Sequence, residues 1–592
     1  KDIPETVVQG SAAAGRAMAL LREARGQEVV HRELPQEMDV ASQETRIGVF
    51  VCHCGVNIAQ TVDVGRIAEA VKHLPNVVHS EDMLYSCSQD SQEKIKQAVR
   101  EQGLNRVLVA SCTPRTHEPL FQETIRDAGL NKYLFELANI REQCSWCHMG
   151  DNERATAKAL EIVRMHIAKM RYMEPVQPGS VPVTSSALVL GGGIAGMTAA
   201  LSLAEQGFGV HLVEKRDQLG GLLGGVRSLL QGGDVGQYLS DSMEAVKEHP
   251  QITVYTGDEV AATEGYVGNY RTTLSSGHSL EHGAIILATG GSEYQPTEYG
   301  YGESERVLTQ RELENRLADG EFRPGSHVAM IQCIGSREEP HNYCSRVCCQ
   351  DALKNALAIK DRWPDTQVSI FYRDLRSYGL REEMYQKARE AGVIFYQFDL
   401  EEKPEADLKE KGVTLRVRDR ILDRPVELEA DHLVLSAGLR PHPEAQEIAD
   451  QYRLTRNEDG YFLEAHVKLR PVEFPSEGVF LAGLAHAPKN LDETVGQALA
   501  AAGRAGVLLS SEELEVSGRI ARHESEKCMA CLSCFRICPF DAPYIDEDGL
   551  IRHNEIKCAG CGLCAGVCPS KAFQVNHFTD DQIRAMIDAA SQ

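Results

Sequence analysis

Two consecutive runs of cysteine near the end of the 592-residue chain constrain its fold more than any other feature. The runs begin at Cys528 and Cys558, and each has the spacing C-x2-C-x2-C-x3-C-P. In this arrangement, each run supplies three ligands to one [4Fe–4S] cluster and its last cysteine to the other cluster. The expected ligand sets are Cys528, Cys531, Cys534 and Cys568 for one cluster, and Cys558, Cys561, Cys564 and Cys538 for the other.

We therefore predict a bacterial-type two-cluster ferredoxin domain of α+β fold over residues 516–592, with a zinc site as the weaker alternative. The other ten cysteines lie at 52, 54, 87, 112, 144, 147, 333, 344, 348 and 349. Because no secretory pattern opens the chain, clustered cysteines favour metal ligands over disulfides.

Length and charge exclude several classes of protein. A chain of this length is expected to form three or more domains. The 62 Lys and Arg against 86 Asp and Glu give a formal net charge of −24, which argues against nucleic acid or an anionic membrane as a partner. The apolar stretch 187–213 is interrupted by glycines and Glu205, so no transmembrane span is expected. The expected location is the cytoplasm.

Residues 46–175 alternate strand and helix patterns, which predicts a doubly wound α/β domain with a parallel sheet. The predicted strands are 46–51, 76–79, 106–110 and 133–137, and cysteines follow each of them. Open α/β sheets bind ligands beyond the carboxyl ends of their strands. We expect Cys54, Cys87, Cys112 and Cys144 to bind an iron–sulfur cluster or zinc, with Cys52 and Cys147 as competing ligands. Thiols without a metal are the alternative.

A glycine-rich turn predicts a dinucleotide site in residues 181–515. Gly191, Gly193 and Gly196 form G-x-G-x-x-G between a predicted strand and a helix, and Glu214 ends the next strand. The glycines allow a pyrophosphate to approach the helix N-terminus, and the acid accepts ribose hydroxyls. Three further elements are Gly220-Gly221, the segment 284–291 with Gly290, and the segment 478–483 with Gly483. They resemble recurring elements of the two-dinucleotide-domain flavoproteins, a family that includes thioredoxin reductases. That resemblance favours FAD.

The second dinucleotide domain, expected at about 300–440, has lost its glycine turn. After the predicted strand 327–332 the chain reads Cys333-Ile334-Gly335-Ser336-Arg337. Bulky side chains replace the glycines that a pyrophosphate needs, so NAD(P)H binding is expected to be lost or poor. Cys333, Cys344, Cys348 and Cys349 are candidate ligands of one [4Fe–4S] cluster near the flavin, and a redox-active dithiol is the alternative.

A short repeat links the first residues to the flavin module. Residues 1–17 and 489–505 are identical at eleven of 17 positions. We therefore expect residues 1–25 to be the closing helix of an earlier flavin module that is mostly missing here, joined by a linker at 26–45. An ordinary N-terminal amphipathic helix is the alternative.

Several long motifs together carry a resemblance to one protein family. They are VCHCG (51–55), ASCTPRTHEP (110–119), NIREQCSW (139–146), GGGIAGM (191–197), CIGSRE with YCSRVCC (333–349) and the ferredoxin runs. In these motifs the chain resembles the A-type subunit of heterodisulfide reductase. This resemblance implies that the cluster of Cys333, Cys344, Cys348 and Cys349 lies beside FAD, and that FAD is a centre of electron bifurcation or confurcation. Family members often carry an inserted ferredoxin domain after the second strand. Residues 220–251 contain no cysteine, so we expect that insert and its clusters to be absent. One of the electron-transfer routes to the flavin would then be missing as well.

We expect an oxidoreductase subunit of an oligomeric redox complex, which passes electrons between FAD and four [4Fe–4S] clusters. The expected partners are subunits similar to heterodisulfide reductase B and C, an electron-input or hydrogenase-linked subunit, and ferredoxin. Alternatives are the related subunit of a benzoyl-CoA reductase-like complex of anaerobic metabolism, a stand-alone NAD(P)H:disulfide oxidoreductase, and an assembly scaffold. No catalytic acid–base residue is expected.

Overall fold

The computed structural model describes residues 2–27, 29 and 33–591, so Lys1 of the repeat and residues 28 and 30–32 of the expected linker lie outside the description. The chain forms two compact units. The flavin unit comprises 1–28 and 182–514, and the cysteine–ferredoxin unit comprises 29–181 and 515–592. Within the described residues, no helix is both long and apolar enough to cross a membrane.

The first part of the cysteine–ferredoxin unit is the predicted α/β domain. Its parallel sheet has the order second, first, third, fourth strand. The strands are Ile47–Cys52, Val77–Met83, Arg106–Ser111 and Phe135–Asn139, and the helices are Val56–Ala59, Val64–Val71, Gln89–Glu101, Pro114–Asp127 and Asn152–Met170. The first, third and fourth strands are buried along their whole length, as expected for a sheet covered on both faces.

The ferredoxin domain consists of two short antiparallel strand pairs and three helices. Ala521–His523 pairs with Phe573–Val575, and Pro543–Ile545 pairs with Ile551–His553. The helices are Ser533–Ile537, Leu563–Val567 and Asp580–Ala590, and the last of these packs against Asn152–Met170 of the α/β domain.

A buried charge network joins these two domains. Lys169 Nζ donates to Glu136 Oε1 at 2.6 Å, and His166 lies 3.1 Å from the other carboxylate oxygen. Lys169 Nζ also lies 3.8 Å from the ring centroid of Phe578, and Arg519 forms an ion pair with Glu118. Burial alone would raise the pKa of Glu136, but the hydrogen bond from His166 and the charge of Lys169 outweigh burial and hold that pKa below its usual range.

The flavin unit contains two α/β domains. The first has a five-stranded parallel sheet, a three-stranded antiparallel sheet, four helices given below and, after the chain returns from the second domain, the helix Ala445–Tyr452. In sheet order the parallel strands are Val479–Leu481, Ala284–Leu287, Ser186–Leu190, Gly209–Glu214 and Ile252–Thr256. The antiparallel strands are Ser279–His282, Asn269–Leu274 and Val260–Tyr266, and the helices are Ile3–Leu20, Ile194–Glu205, Val235–Glu248 and Leu491–Leu509.

The second domain of the flavin unit repeats this plan. Its parallel strands, in sheet order, are Val307–Thr309, His432–Ala437, His327–Ile334, Gln367–Tyr372 and Ile394–Gln397. The antiparallel strands are Glu405–Lys409, Gly412–Asp419 and Arg424–Ala430, and the helices are Gln310–Ala318, Cys348–Arg362 and Glu382–Glu390. The chain passes between the two domains through the antiparallel pair Gly291–Glu293 and Leu439–Pro441, and the helix Ala445–Tyr452 follows the return to the first domain.

We predict that Lys169→Met destabilises the cysteine–ferredoxin unit by about 3 kcal/mol, because it removes the nearest cation from the buried Glu136 carboxylate and leaves only His166 and the more distant Arg519 beside it. The exposed pair of Lys158 and Glu161 supplies the control, and Lys158→Met should cost about 1 kcal/mol or less. Chemical denaturation at neutral pH measures both. Equal midpoints for the two variants would contradict the role given to the buried pair.

Candidate functional site

A cavity of about 790 Å³ opens at the carboxyl edge of the first parallel sheet of the flavin unit. Six of the eight residues predicted to bind a dinucleotide line it: Gly191, Gly193, Glu214, Gly220, Gly221 and Gly290. Gly196 and Gly483 do not line the cavity, but they pack directly against residues that do: Gly196 against Gly191, and Gly483 against Ala195. The cavity is partly open, and its volume lies in the range of small-molecule and cofactor sites.

The glycines of the turn have different tasks. A Cβ on Gly196 would collide with the carbonyl oxygen of Gly191, so Gly196 is needed for the packing of the helix on the turn. A Cβ on Gly193 would meet only Gly221 Cα at 3.9 Å and would otherwise point into free space beside the cavity. Gly193 therefore keeps room for a ligand. It also begins the helix Ile194–Glu205 without a side-chain cap, which leaves the first N–H groups available to a pyrophosphate.

Glu214 fixes the shape of the turn. Its Oε2 accepts a hydrogen bond from Gly192 N at 2.6 Å, and its Oε1 accepts one from Arg216 N at 2.8 Å. The carboxylate thus lies at the end of the second strand and borders the cavity, where a ribose hydroxyl of FAD is expected. The residues present fit FAD.

A buried lysine at the other wall of the cavity was missed by sequence reasoning. Lys489 Nζ donates to Gly483 O at 2.7 Å and to Ala487 O at 2.8 Å. Burial lowers the pKa of Lys489 to about 7. The residue precedes the N-terminus of the closing helix Leu491–Leu509, so the cavity has a second positive end. The only sequence signal is the lysine that opens both copies of the repeat.

The second group of cysteines adjoins the same cavity. Cys333 is the last residue but one of the strand His327–Ile334 and has a left-handed backbone conformation, and Cys348 and Cys349 form the first turn of the helix Cys348–Arg362. Both helix thiols interact electrostatically with Cys333 and Cys344, so the four side chains share one environment. Their sequence neighbours Val347 and Gln350 line the flavin cavity.

The surroundings of these four thiols favour a metal cluster. Burial raises the pKa of Cys349 to about 12 and raises that of Cys348 well above its usual value. Thiolates here therefore need a strong positive partner, and iron supplies it. Arg346 N donates to Cys344 Sγ at 3.3 Å, and the Arg337 guanidinium lies 3.9 Å from Cys333 Sγ. The donor set fits one [4Fe–4S] cluster.

The turn that follows Cys333 is closely packed by side chains of the flavin unit. A Cβ on Gly335 would collide with the ring of Tyr294, and it would lie 2.9 Å from Arg440 Nη2. The Arg440 guanidinium stacks over Tyr294 at 4.4 Å from the ring centroid. This packing leaves no room for a side chain at Gly335, and the loss of NAD(P)H binding stays a prediction.

The N-terminal cysteines gather at the carboxyl edge of their sheet, but in a different set from the expected one. Cys52 Sγ accepts hydrogen bonds from Cys54 N and Ser86 N, both at 3.3 Å. Cys87 interacts electrostatically with Cys52 and Cys54, and Cys112 interacts with Cys54. The structure thus brings together Cys52, Cys54, Cys87 and Cys112, with the Arg141 guanidinium 3.4 Å from Cys54 Sγ.

Cys144, one of the four expected ligands, is not placed with the other three. It is fully buried in the apolar core, and its Sγ donates to Ala155 O at 3.1 Å. Cys147 is exposed, and its Sγ donates to Glu142 O. Both lie on the turn after the fourth strand, whose π-helical course over Arg141–Ser145 turns Cys144 toward the helix Asn152–Met170. Cys52 ends the first strand and takes the fourth position at the edge.

The ferredoxin cysteines surround two small cavities in the pairing expected from the two runs. One cavity is lined by Cys528, Cys531, Cys534 and Cys568, and the other by Cys538, Cys558, Cys561 and Cys564. The last cysteine of each run thus joins the three of the other run. Each set of four thiols around one cavity fits a [4Fe–4S] cluster. Within the part of the chain that the structure describes, no three His, Cys, Asp or Glu side chains are arranged to hold a single metal ion.

The fold and these sites define an oxidoreductase with FAD and [4Fe–4S] clusters as cofactors. Residues 185–328 match the family described as pyridine nucleotide-disulphide oxidoreductase, and residues 527–573 match the 4Fe-4S dicluster domain. The solved thioredoxin reductase of T. acidophilum covers 55% of this chain and 97% of its own, at 16% identity and a TM-score of 0.40.

Curated relatives cover nearly the whole chain. The A-type subunit of the H(2):CoB-CoM heterodisulfide,ferredoxin reductase of Methanothermobacter thermautotrophicus is 37% identical over 94% of this chain and 99% of its own length. The A-type iron-sulfur subunit of the CoB--CoM heterodisulfide reductase of Methanocaldococcus jannaschii is 36% identical over 92% of this chain and 98% of its own. The chain belongs to the family of A-type heterodisulfide reductase subunits, which confirms the resemblance drawn from the motifs.

The alignment with the Methanothermobacter protein spans 655 positions, more than the 592 residues of this chain. That relative therefore contains segments without a counterpart here.

We predict that Gly193→Val lowers bound FAD at least tenfold while the unit stays folded, because the new side chain occupies the space of the pyrophosphate and meets little of the protein. Gly224→Val is the matched control, since Gly224 is exposed and its Cβ would approach only Leu239, at 4.0 Å. Flavin absorbance per chain after gel filtration measures both. Retained flavin in Gly193→Val would refute the assignment.

We predict that Cys52→Ser removes about four irons per chain and that Cys144→Ser removes none, because only the first thiol lies at the sheet edge. Iron analysis of anaerobically purified variants separates the two sets. Iron loss in Cys144→Ser alone would restore the ligand set expected from the sequence.

Proposed function

We propose that this chain is the electron-transfer subunit of a heterodisulfide reductase-like complex, in which clusters rather than a pyridine nucleotide exchange electrons with the flavin. The observation that carries the proposal is the cysteine set at Cys333, Cys344, Cys348 and Cys349. It occupies the turn where related flavoproteins bind NAD(P)H, and the residues beside it line the flavin cavity.

FAD, when bound, exchanges electrons in pairs, and [4Fe–4S] clusters exchange them singly. The chain's own residues set the conditions for this exchange. The glycine turn and Glu214 hold the dinucleotide, and the buried Lys489 keeps a titratable ammonium at the cavity wall. Arg337 and the N-terminus of the helix Cys348–Arg362 place positive charge on the adjacent thiolate set.

The terminal chemistry is assigned to partner subunits. Reduction of a heterodisulfide takes two electrons and two protons, breaks one S–S bond and yields two thiols. The relatives are named for the CoB-CoM heterodisulfide, and one of them for ferredoxin as well. The partners proposed here are subunits similar to heterodisulfide reductase B and C, a ferredoxin, and an electron-input or hydrogenase-linked subunit. The proposed location is the cytoplasm, where clustered free thiols remain reduced.

The proposal also assigns the cysteines to their clusters. It gives Cys52, Cys54, Cys87 and Cys112 to the N-terminal cluster, with Cys52 in place of Cys144. It gives the remaining twelve cysteines of the proposed sites to one cluster beside FAD and two in the ferredoxin domain. The grouping of four thiols around each site supports these sets.

We predict that NADH and NADPH leave the flavin oxidised, whereas a reduced low-potential ferredoxin reduces it through the clusters. Anaerobic titration of the holoprotein, followed by flavin absorbance, measures both reactions. Rapid bleaching by NAD(P)H would favour the stand-alone NAD(P)H:disulfide oxidoreductase instead.

We further predict that Cys348→Ser retains FAD but slows reduction of the flavin by ferredoxin at least tenfold, equivalent to about 1.4 kcal/mol in the barrier. The thiol lies in the set beside the cavity, and its loss interrupts the path. Cys147→Ser, an exposed thiol outside the proposed sets, is the control. Unchanged kinetics in Cys348→Ser would show that electrons reach the flavin by another path.

A further inference from the structure

The N-terminal helix and the closing helix of the flavin unit are two copies of one sequence that pack on each other. Ile3–Leu20 lies directly against Leu491–Leu509. Residues 1–17 and 489–505 are identical at eleven of 17 positions. Two observations bear on the role of this helix pair: the geometry of the contact, and the difference in burial between the two copies.

The contact is symmetric under exchange of the two helices. A Cβ on Gly15 would lie 3.0 Å from Gly503 Cα and 3.4 Å from Leu499 O. A Cβ on Gly503 would lie 3.3 Å from Gly15 Cα and 2.6 Å from Ser11 O. Gly15 is equivalent to Gly503 in the repeat, and Ser11 is equivalent to Leu499. Each glycine therefore faces the same two positions of the other helix, which is the signature of a twofold interface.

A further pair of positions follows the same rule. Met18 and Gly506 are equivalent if the repeat is extended by one residue, and a Cβ on Gly506 would lie 3.0 Å from Met18 Cε. The methionine of one copy thus packs against the glycine of the other, beside Gln206, whose Oε1 is the nearest atom to that Cβ. The pseudo-twofold relation extends over more than one turn of both helices.

The two copies differ in what covers their other faces. Six positions that are buried on the closing helix are more accessible on the N-terminal helix. On the closing helix they are Thr494, Gln497, Ala498, Ala501, Ala502 and Ala505, and on the N-terminal helix they are Thr6, Gln9, Gly10, Ala13, Ala14 and Ala17. An exposed face that only met solvent would carry mostly charged and long polar side chains. Small residues here leave room for close approach of another backbone.

On the closing helix, the polar residues of this face make specific contacts. Gln497 Oε1 accepts from Gly483 N at 2.9 Å, and Gln497 Nε2 lies 2.8 Å from His486 Nδ1. Thr494 packs beside Gly483. The identical Thr6 and Gln9 are exposed on the N-terminal helix. On the closing helix, the partner of the equivalent residues is the glycine turn that contains Gly483.

We propose that the helix pair is a pseudo-twofold interface between two flavin modules, and that the N-terminal helix closes the second one. The occupant of the exposed face is a dinucleotide-binding module of the same fold, whose glycine turn corresponds to residues 478–483. The two modules are then joined back to back through their closing helices, with Gly15 and Gly503 next to the axis.

The test places a photo-crosslinking residue on the exposed face of the protein in its natural polypeptide, expressed in its native host and isolated as the intact complex. Gln9→p-benzoylphenylalanine should form an adduct with a peptide from the glycine turn of a second flavin module. Leu20→p-benzoylphenylalanine is the control, because Leu20 is 87% exposed and lies beyond the repeat. Adducts at Gln9 that lack a flavin-module peptide, or that match those at Leu20, would overturn the proposal.

A second measurement does not depend on crosslinking yield. The intact complex should contain two FAD molecules per ferredoxin domain, and Ala13→Trp should lower that number toward one by blocking the face. Leu20→Trp should leave it at two. One FAD in all three proteins, or two in all three, would contradict the inference.

Discussion

Thiolates held side by side lose hydration and repel one another, which makes their ionised state unfavourable. The arrangement of this protein depends on a positive partner that offsets this electrostatic free energy. Burial raises the pKa of Cys112 to about 11 and those of Cys349 and Cys564 to about 12, at three different sites. Left alone, these groups would remain protonated. Iron–thiolate bonds displace the protons and hold the loops together, so cluster binding and folding of these segments are linked.

The parallel sheet supplies the scaffold on which two of these sets and the flavin cavity are built. Loops that follow parallel strands meet at one edge, and the chain uses this edge in both units. In the flavin unit, the edge of the first domain carries the glycine turn, and the edge of the second carries Cys333 in place of such a turn. Under the proposed function, this replacement of a glycine turn by a set of thiols exchanges binding of a pyridine nucleotide for electron transfer through a cluster.

Much of this architecture could be predicted from the sequence, because its signals are local. The ferredoxin runs, the turn at Gly191–Gly196 and the alternating strands of 46–175 are patterns of short range. The N-terminal ligand set depends instead on the orientation of the Cys144 side chain, which is set by the three-dimensional structure. The π-helical turn at Arg141–Ser145 directs Cys144 into the core, and no spacing rule reports that. Lys489 was missed for a similar reason, since its burial comes from the fold around it.

The central claim is that all four sets of cysteines carry clusters and that one of them adjoins a single flavin in this unit. Iron, sulfide and flavin content of the anaerobically purified chain tests it most directly. About 16 irons and one FAD are expected for each copy of residues 46–592, and the second FAD inferred for the intact complex belongs to the module that the N-terminal helix closes. About 8 irons would confine the clusters to the ferredoxin domain, and the cysteines at the sheet edge and beside the flavin would then serve as thiols.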